Sequence, residues 1–250
     1  MKKLLLLMLV LTACGRTAEP GWELAWSDEF NNPGLPDSAN WVNEVGFIRN
    51  HELQYYTERR IENTIIDDGH LLIIGRKEKY DTAEYTSASL TTEGLHNWRY
   101  GRIEARMKLP KGQGLWPAFW MLGENIREVG WPRCGEIDIM EHINNEDFTY
   151  GTLHWHNEKH VSSGTRIPCM VDQFHTYMVE WDSDSLRWFL DGTRFHGVCI
   201  KDSVNSTHEF HLPHYIILNM AIGGDWPKNP DETTVFPDTV FVDYVRVWQK

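Results

Sequence analysis

Short runs with a two-residue hydrophobic period recur along the chain and predict β-strands. In residues 102–109, charged side chains occupy every second position, which places them on one face of a strand. In residues 240–248, the apolar side chains stand at even positions, with Arg246 as an interruption. Helical periodicity is scarce. We predict strands over residues 71–75, 101–109, 118–122, 136–141, 176–181, 186–190, 215–222 and 239–248.

Turn signals separate these predicted strands, and many short strands with glycine-rich turns are typical of a sandwich of antiparallel sheets. The chain of 250 residues fits one large domain, and we find neither a repeat nor a linker after residue 20. We therefore predict an all-β domain over residues 21–250. The turn dipeptides are Asp68-Gly69, Lys111-Gly112, Asp191-Gly192 and Gly223-Gly224.

The most informative stretch is Gly-Glu-Ile-Asp-Ile-Met-Glu-His at 135–142, where three acids interrupt an apolar run that predicts a buried strand. Buried carboxylates are costly unless they are paired or functional. Glu136 and Asp138 share one face of the strand, whereas a regular strand turns Glu141 to the other face. One extra residue in a β-bulge near Ile139 or Met140 brings Glu141 back, so that all three carboxylates line one surface.

The spacing of the two glutamates favours a retaining glycosidase. Four strand steps of ~3.3 Å separate their Cα atoms by roughly 13 Å, and inward-leaning side chains reduce the carboxylate separation to about 5–6 Å. Inversion needs a wider gap that admits a water molecule. Glu136 and Glu141 are the candidate nucleophile and acid/base. Asp138 is expected to hydrogen-bond the nucleophile and to raise the pKa of the group that stays protonated; an acidic strand that binds a cation is the alternative.

Aromatic residues form 12% of the chain and include twelve Trp. Trp116, Trp120 and Trp131 flank the acidic stretch, and aromatic faces stack on the apolar faces of sugar rings. This arrangement favours a carbohydrate-binding groove, with core packing as the alternative. We assign core positions to Trp41, Trp181, Trp188 and Trp248, which lie in strand-like runs.

The formal net charge is −12, which argues against a nucleic-acid partner, because such partners are bound by clustered Lys and Arg. The charge also argues mildly against a sulfated polysaccharide as substrate. Charged residues form 24% of the chain without a long run of either sign, and 41% of the residues are hydrophobic. Disorder is therefore not predicted.

The N-terminus has the features of a targeting segment. Lys2 and Lys3 precede an apolar stretch at residues 4–11, which is too short to span a bilayer as a helix. The following Leu-Thr-Ala-Cys resembles the bacterial lipobox, whose cysteine becomes the lipidated first residue. We predict a signal peptide over residues 1–13, lipidation at Cys14, a tether over residues 14–20 and a location on a membrane of the bacterial cell envelope. An ordinary secretory signal is the alternative.

If Cys14 carries lipid, three cysteines remain, so at most one internal disulfide can form among Cys134, Cys169 and Cys199. The sequence has no Cys-x-x-Cys spacing, and a zinc site is not predicted. For Cys134, two residues before Glu136, we favour a role as a small residue that fills a loop.

The acidic stretch resembles the Glu-x-Asp-x-x-Glu signature of glycoside hydrolase family 16, in the bulged form of laminarinase-like members. Residues 51–60 and 101–123 resemble segments of bacterial endo-β-1,3-glucanases, and residues 215–227 and 236–249 resemble their C-terminal blocks. The resemblance implies a β-jelly-roll sandwich of two antiparallel sheets with a concave glycan-binding cleft. It also implies double displacement with Glu136 as nucleophile, Glu141 as acid/base and Asp138 as the assisting residue.

The same resemblance implies further contacts. Trp116, Trp120 and Trp131 match aromatic positions of the cleft. Asn50 and Arg76 match polar contacts to sugars on the non-reducing side, and His154 matches a cleft position on a neighbouring strand. No cofactor is expected for catalysis. A structural Ca²⁺ is expected at the backbone oxygens of Glu29 and Gly69 and the side chain of Asp243, since oxygen-only ligands suit this ion.

The sequence thus predicts an endo-acting, monomeric β-glucanase for β-1,3-glucan (laminarin), mixed-linkage β-1,3-1,4-glucan or both. A non-catalytic glucan-binding lipoprotein of the same fold is one alternative, which the presence of both glutamates disfavours. A same-fold galactanase is another, disfavoured by the Trp-Pro-Ala-Phe-Trp run at 116–120. A transglycosylase uses the same glycosyl-enzyme and stays open.

Overall fold

The computed structural model describes residues 21–250, so the predicted signal peptide, Cys14 and the tether at 14–20 lie outside the described residues. Residues 21–250 form mainly β-strands, with one short helix α1 (Ile126–Val129) and two 3-10 segments, Lys201–Ser206 and His208–His211. The strands of this range are β1 (Glu23–Asp28), β2 (Val42–Asn43), β3 (Gln54–Tyr56), β4 (Thr64–Asp67), β5 (His70–Tyr80), β6 (Ala83–Ser87), β7 (Ser89–Thr91), β8 (Gly101–Lys108), β9 (Leu115–Gly123), β10 (Glu136–Glu141), β11 (Phe148–Asn157), β12 (Lys159–Pro168), β13 (His175–Trp181), β14 (Ser185–Leu190), β15 (Thr193–Cys199), β16 (His214–Ile222) and β17 (Asp238–Gln249).

These strands build two sheets. The larger sheet has ten strands in the order β15-β14-β13-β8-β17-β5-β6-β3, with β1 also paired to β17 and β4 to β5. The smaller sheet has seven strands in the order β12-β11-β10-β9-β16-β7-β2. β3 and β6 run parallel, and the strands of the smaller sheet pair in antiparallel fashion. The predicted all-β sandwich is therefore confirmed.

Each predicted strand overlaps an observed one, and the prediction for residues 136–141 matches β10 at both ends. Nine observed strands of residues 21–250 were not predicted, namely β1, β2, β3, β4, β6, β7, β11, β12 and β15. β12 and β15 lie at the outer edges of their sheets and are largely exposed, so the contrast between inward and outward side chains is weak there.

The core between the sheets is built from large apolar side chains, including Trp41, Trp181 and Trp188. Trp248, which we expected in the core, is half-buried instead. The physical reason is a register shift between Val242 and Tyr244, where β17 pairs with β8. The shift reverses the alternation, so that Val245 and Val247 point inward while Trp248 does not.

The two sheets approach closely where β11 of the smaller sheet faces β14 of the larger one. A Cβ atom built on Gly151 would lie 2.6 Å from Cδ1 of Trp188 and 3.0 Å from Cζ of Phe195. A residue without a side chain is therefore required at this contact. It lets the Trp188 ring pack directly beneath the strand that follows the acidic stretch.

Candidate active site

A β-bulge in β10 gathers the three carboxylates. Asp138 pairs with Trp120 of β9, but the next pair is Met140 with Phe119, so one extra residue lies on β10 between them. Ile139 and Met140 are both buried in the core side of the strand. The predicted bulge is confirmed, and it returns Glu141 to the face that carries the other two acids.

At the bulge, the opposite sheet supplies a hydrogen-bond donor to a backbone carbonyl of β10. The indole Nε1 of Trp188 donates to the Asp138 carbonyl oxygen at 2.8 Å. Because a buried unpaired carbonyl is costly, this contact stabilises the bulged conformation over a regular strand. Thr149 adds a second contact, since its hydroxyl donates to the Glu141 carbonyl at 3.2 Å.

A cavity of about 550 Å³ opens above β9, β10 and β16 of the smaller sheet. Glu136, Asp138 and Glu141 line it together with sixteen residues of the strands beside them, the adjacent loops and α1. The cavity is therefore acidic at its floor and aromatic at its walls. Among the residues predicted to bind substrate, those on its lining are Asn50, Trp116, Trp120 and Trp131.

Two tryptophans hold the two glutamates. Trp131, about half exposed, donates from Nε1 to Oε2 of Glu136 at 2.9 Å. Trp116 donates from Nε1 to Oε1 of Glu141 at 3.0 Å. Each indole therefore fixes one oxygen of its carboxylate. The same rings present apolar faces to the cavity, so they combine positioning with stacking surface.

His154 lies beside the first two acids because β11 pairs with β10 in a register that sets His154 opposite Glu136. Its Nε2 atom is 3.2 Å from Oδ2 of Asp138 and 4.0 Å from Oε1 of Glu136. His160, on β12, contacts the other ring nitrogen of His154 at 2.8 Å. The structure therefore brings His154 to the carboxylates of Glu136 and Asp138.

Burial and the charge of Asp138 together raise the pKa of Glu136 to about 8. Burial likewise raises the pKa of Asp138, and burial together with the charges of Asp138 and Glu136 raises the pKa of Glu141. Three carboxylates in such surroundings are not all ionised near neutral pH. A site that keeps one acid protonated beside an ionised one can combine general-acid with nucleophilic catalysis.

Comparison with known proteins agrees with this chemistry. The family model of glycosyl hydrolases family 16 matches residues 52–246. The chain belongs to this family. It is 40% identical over 271 residues to a β-glucanase from Rhodothermus marinus, with 100% of this chain and 95% of that protein covered. It is 37% identical over 264 residues to a glucan endo-1,3-β-glucosidase from Cryptopygus antarcticus, with 96% of each covered.

Solved structures are similar as well. The endo-β-1,3-glucanase of Pyrococcus furiosus superposes with a TM-score of 0.82 and 44% identity, with 91% of this chain and 94% of that chain covered. The resemblance inferred from the sequence is thus confirmed, and so is the jelly-roll fold. As a family 16 member, the chain is a glycoside hydrolase.

One predicted sugar contact of this family 16 chain does not reach the cavity. Arg76 lies on β5 of the larger sheet, opposite Thr86 of β6. Its Nε atom is 3.6 Å from Oε1 of Glu78, and it is not among the residues that line the cavity. The register of β5 therefore directs this side chain to an acidic partner on its own sheet.

Six polar or charged residues of the cavity lining were not predicted, namely Glu44, Arg49, Glu52, Glu93, Arg127 and Asn219. Arg49 lies with its guanidinium carbon 4.9 Å from the ring centroid of Trp120, and it pairs with Glu44. Asn219 accepts a hydrogen bond from Nε1 of Trp120 at 2.7 Å. Glu52 accepts one from Asn50 at 3.2 Å. Asn219 had a usable signal, because it is the polar residue within the apolar run of β16.

The predicted calcium ligands have other partners in the family 16 chain. Oδ2 of Asp243 accepts a hydrogen bond from Arg106 at 2.6 Å, and the Glu29 side chain pairs with Arg246 at 2.7 Å. These contacts leave Oδ1 of Asp243 and the backbone oxygens of Glu29 and Gly69 as the donor set. An oxygen-only set of this kind fits Ca²⁺. Among residues 21–250, no helix is long and apolar enough to cross a membrane.

Proposed function

We propose that the chain is an endo-acting, retaining β-glucanase that hydrolyses β-1,3-glucan such as laminarin and also mixed-linkage β-1,3-1,4-glucan. The observation that carries this proposal is the bulge in β10, which sets Glu136, Asp138 and Glu141 on the floor of one tryptophan-walled cavity. The names of the similar proteins, a β-glucanase and two endo-1,3-β-glucan hydrolases, support a β-1,3-glucan as substrate.

In the proposed reaction, Glu136 attacks the anomeric carbon while Glu141 donates a proton to the departing glycosidic oxygen. The products of this step are a glycosyl-enzyme at Glu136 and a shortened glucan. Glu141, now ionised, then removes a proton from a water molecule that attacks the same carbon. Because each of the two substitutions inverts the configuration of the anomeric carbon, the product keeps its β configuration.

The surrounding side chains position the nucleophile, keep the acid protonated and bind the sugar rings. The hydrogen bond from Trp131 holds Glu136 in position and favours its ionised form. The charge of Asp138 raises the pKa of Glu141, which suits a residue that must be protonated when substrate binds. The faces of Trp116 and Trp120 offer stacking surface to successive sugar rings.

The test is sugar release and product sizing on laminarin, barley β-glucan, lichenan, cellulose and agarose. We expect laminarin to give mixed oligosaccharides from the first minutes, as internal cleavage requires. Glu136→Gln removes the nucleophile and is expected to lower kcat by several orders of magnitude. Glu232→Gln changes an exposed glutamate of a loop and serves as the matched control. The absence of product from all five polymers would contradict the proposal.

We further propose that the mature chain begins at a lipidated Cys14 and is anchored to a membrane of the cell envelope. The support is the Leu-Thr-Ala-Cys run after a basic and apolar leader. In cells, Cys14→Ser is expected to move the protein from the membrane fraction to the soluble fraction. Cys199→Ser, which changes an exposed free thiol, is the control. Retention of Cys14→Ser on the membrane would contradict the anchor.

We infer that Ca²⁺ binds at Glu29, Gly69 and Asp243 and stabilises the fold. Support comes from the oxygen donor set and from Gly69, whose positive φ of 72° forms the turn between β4 and β5. Addition of Ca²⁺ is expected to raise Tm in the wild type and to have no effect in Asp243→Asn. Equal Tm values with Ca²⁺ and with EDTA would contradict the site.

We infer also that one chain suffices for activity, because a single chain already brings together the three carboxylates and the two indoles that hold the glutamates. Light scattering is expected to give the mass of a monomer under assay conditions. A stable dimer or larger species would contradict this inference.

A further inference from the structure

Among the residues that the structure describes, one group of side chains has the composition of a metal site. The Glu136 carboxylate, the Asp138 carboxylate and the His154 imidazole each direct one ligand atom toward a common point, and these atoms lie within 4.8 Å of one another. Two carboxylate oxygens and one imidazole nitrogen form a donor set that transition metals bind in proteins.

The Asp138 side chain gives this cluster a second, independent feature. Asp138 is 2% exposed, and its Oδ2 atom accepts no hydrogen bond. Oδ2 is also the atom that lies 3.2 Å from Nε2 of His154. A buried carboxylate oxygen without a donor is costly, so the site favours a proton or a cation at this point.

His160 orients His154 toward the same point. Its Nε2 atom is 2.8 Å from Nδ1 of His154, and the two rings stack with centroids 5.1 Å apart and an interplanar angle of 18°. When Nδ1 of His154 donates to His160, Nε2 of His154 presents its lone pair to the two carboxylates. Such a partner on the second ring nitrogen is typical of histidines that bind metals.

The distances fit a small divalent ion. Bonds of about 2.1 Å in a tetrahedral site place neighbouring ligand atoms about 3.4 Å apart. Nε2 of His154 lies 3.2 Å from Asp138 and 4.0 Å from Glu136, so a small movement of the Glu136 side chain completes the set. The side chains of Glu136 and His154 are 18% and 22% exposed, so an ion can enter from the cavity.

We propose that Glu136, Asp138 and His154 form a Zn²⁺-binding site, and that Zn²⁺ bound there reversibly inhibits the enzyme. The imidazole ligand favours Zn²⁺ over Mg²⁺ and Ca²⁺, which take oxygen ligands. Inhibition follows because the ion occupies the carboxylate that must attack the substrate. This second part rests on the proposed function, whereas binding itself does not.

Binding is tested by isothermal titration of ZnCl₂ into the full chain, purified in detergent without a polyhistidine tag. We expect one high-affinity ion per chain. His154→Ala removes a ligand and is expected to weaken the affinity at least about tenfold, and Glu136→Gln to weaken it similarly. His160→Phe keeps a ring beside Trp131 but removes the contact to His154, and it is expected to weaken the Zn²⁺ affinity about tenfold. His208→Ala, at an exposed histidine elsewhere, is expected to bind as the wild type does.

Inhibition is measured on laminarin with the same Zn²⁺ concentrations. Activity of the wild type and of His208→Ala should fall in proportion to the occupied fraction and return when EDTA is added. Circular dichroism checks the fold of each variant. Absence of a stoichiometric site in the wild type, or unchanged affinity in both His154→Ala and Glu136→Gln, would overturn the proposal. An enzyme inactive on every glucan would contradict the proposed function and leave the binding result to decide this inference.

Discussion

The indole nitrogen of Trp188 donates a hydrogen bond to the carbonyl oxygen of Asp138 at 2.8 Å. Trp188 belongs to the larger sheet and Asp138 to the smaller one, so the bond crosses the core at the bulge that gathers the three carboxylates. The sandwich therefore does more than support the cleft, because a core side chain stabilises the irregular backbone on which the proposed chemistry depends.

Trp188→Phe tests this link. Phenylalanine fills most of the space but cannot donate, so the Asp138 carbonyl loses its partner. We expect the free energy of unfolding to fall by about 1–3 kcal/mol beyond the loss of packing. We expect kcat on laminarin to fall about ten- to hundredfold, since Glu141 depends on the bulge for its position. Urea unfolding and steady-state kinetics measure the two effects, and an unchanged kcat would show that the bulge persists without this bond.

Trp131→Phe separates positioning of the nucleophile from stacking. The hydrogen bond from Trp131 lowers the pKa of Glu136, so its loss raises that pKa further. Because the nucleophile must be ionised, the acidic limb of the kcat/KM profile is expected to move to higher pH, and kcat to fall about tenfold or more. Trp226→Phe, at an exposed indole that meets Trp116 edge-on, is the control and should leave the limb in place.

His214 makes stability depend on pH. It is fully buried, burial lowers its pKa to about 4, and its Nε2 atom has no hydrogen-bond partner. Between pH 6.5 and 4 the unfolded chain binds a proton that the folded chain does not, so stability falls as pH falls through this range. The fall of the pKa from 6.5 to about 4 corresponds to about 3 kcal/mol.

His214→Phe removes the titrating group and keeps a ring against Phe210. The free energy of unfolding is measured with urea at pH 7.5 and at pH 4. The loss of stability between these two pH values is expected to be about 3 kcal/mol smaller in this variant than in the wild type. His208→Phe, at an exposed histidine, should behave as the wild type does. An equal pH dependence in the wild type and His214→Phe would contradict the assignment.

Gly151→Ala tests the close approach of the two sheets. The added Cβ would lie 2.6 Å from Trp188, within the core, and cannot be accommodated without displacing that ring. We expect a loss of about 1–3 kcal/mol in the free energy of unfolding. Gly197→Ala is the matched control, because its Cβ would meet the flexible end of Arg194. A Gly151→Ala variant as stable as Gly197→Ala would contradict the packing described for Trp188.

The sequence was most informative where the two-residue alternation of a regular strand is interrupted. Three acids at 136, 138 and 141 cannot share the face of a regular strand, so the bulge was predictable from the two-residue period alone. The register shift of β17 between Val242 and Tyr244 was not recognised. Arg246 was interpreted as an interruption of the period, whereas it lies on the outward face that the register shift creates and pairs with Glu29.

Contacts between distant segments could not be predicted from the pattern. The bond between Trp188 and Asp138 joins residues 50 positions apart in different sheets, and the period of each strand contains no information on that pairing. His160 was missed for a similar reason, because it lies on an exposed edge strand and gains its role only through His154. For Arg76, in contrast, a contact was predicted that the structure does not form. The family resemblance suggested a sugar contact, but the register of β5 sets Arg76 beside Glu78.

The stereochemistry of cleavage tests the central claim most directly. Proton NMR of short β-1,3-gluco-oligosaccharides, recorded in the first minutes after enzyme is added, distinguishes the anomers of the new reducing end. Double displacement through Glu136 and Glu141 predicts that the β-anomer appears first and that the α-anomer grows only at the rate of mutarotation. Initial release of the α-anomer would contradict the assignment of Glu136 as nucleophile and Glu141 as acid/base.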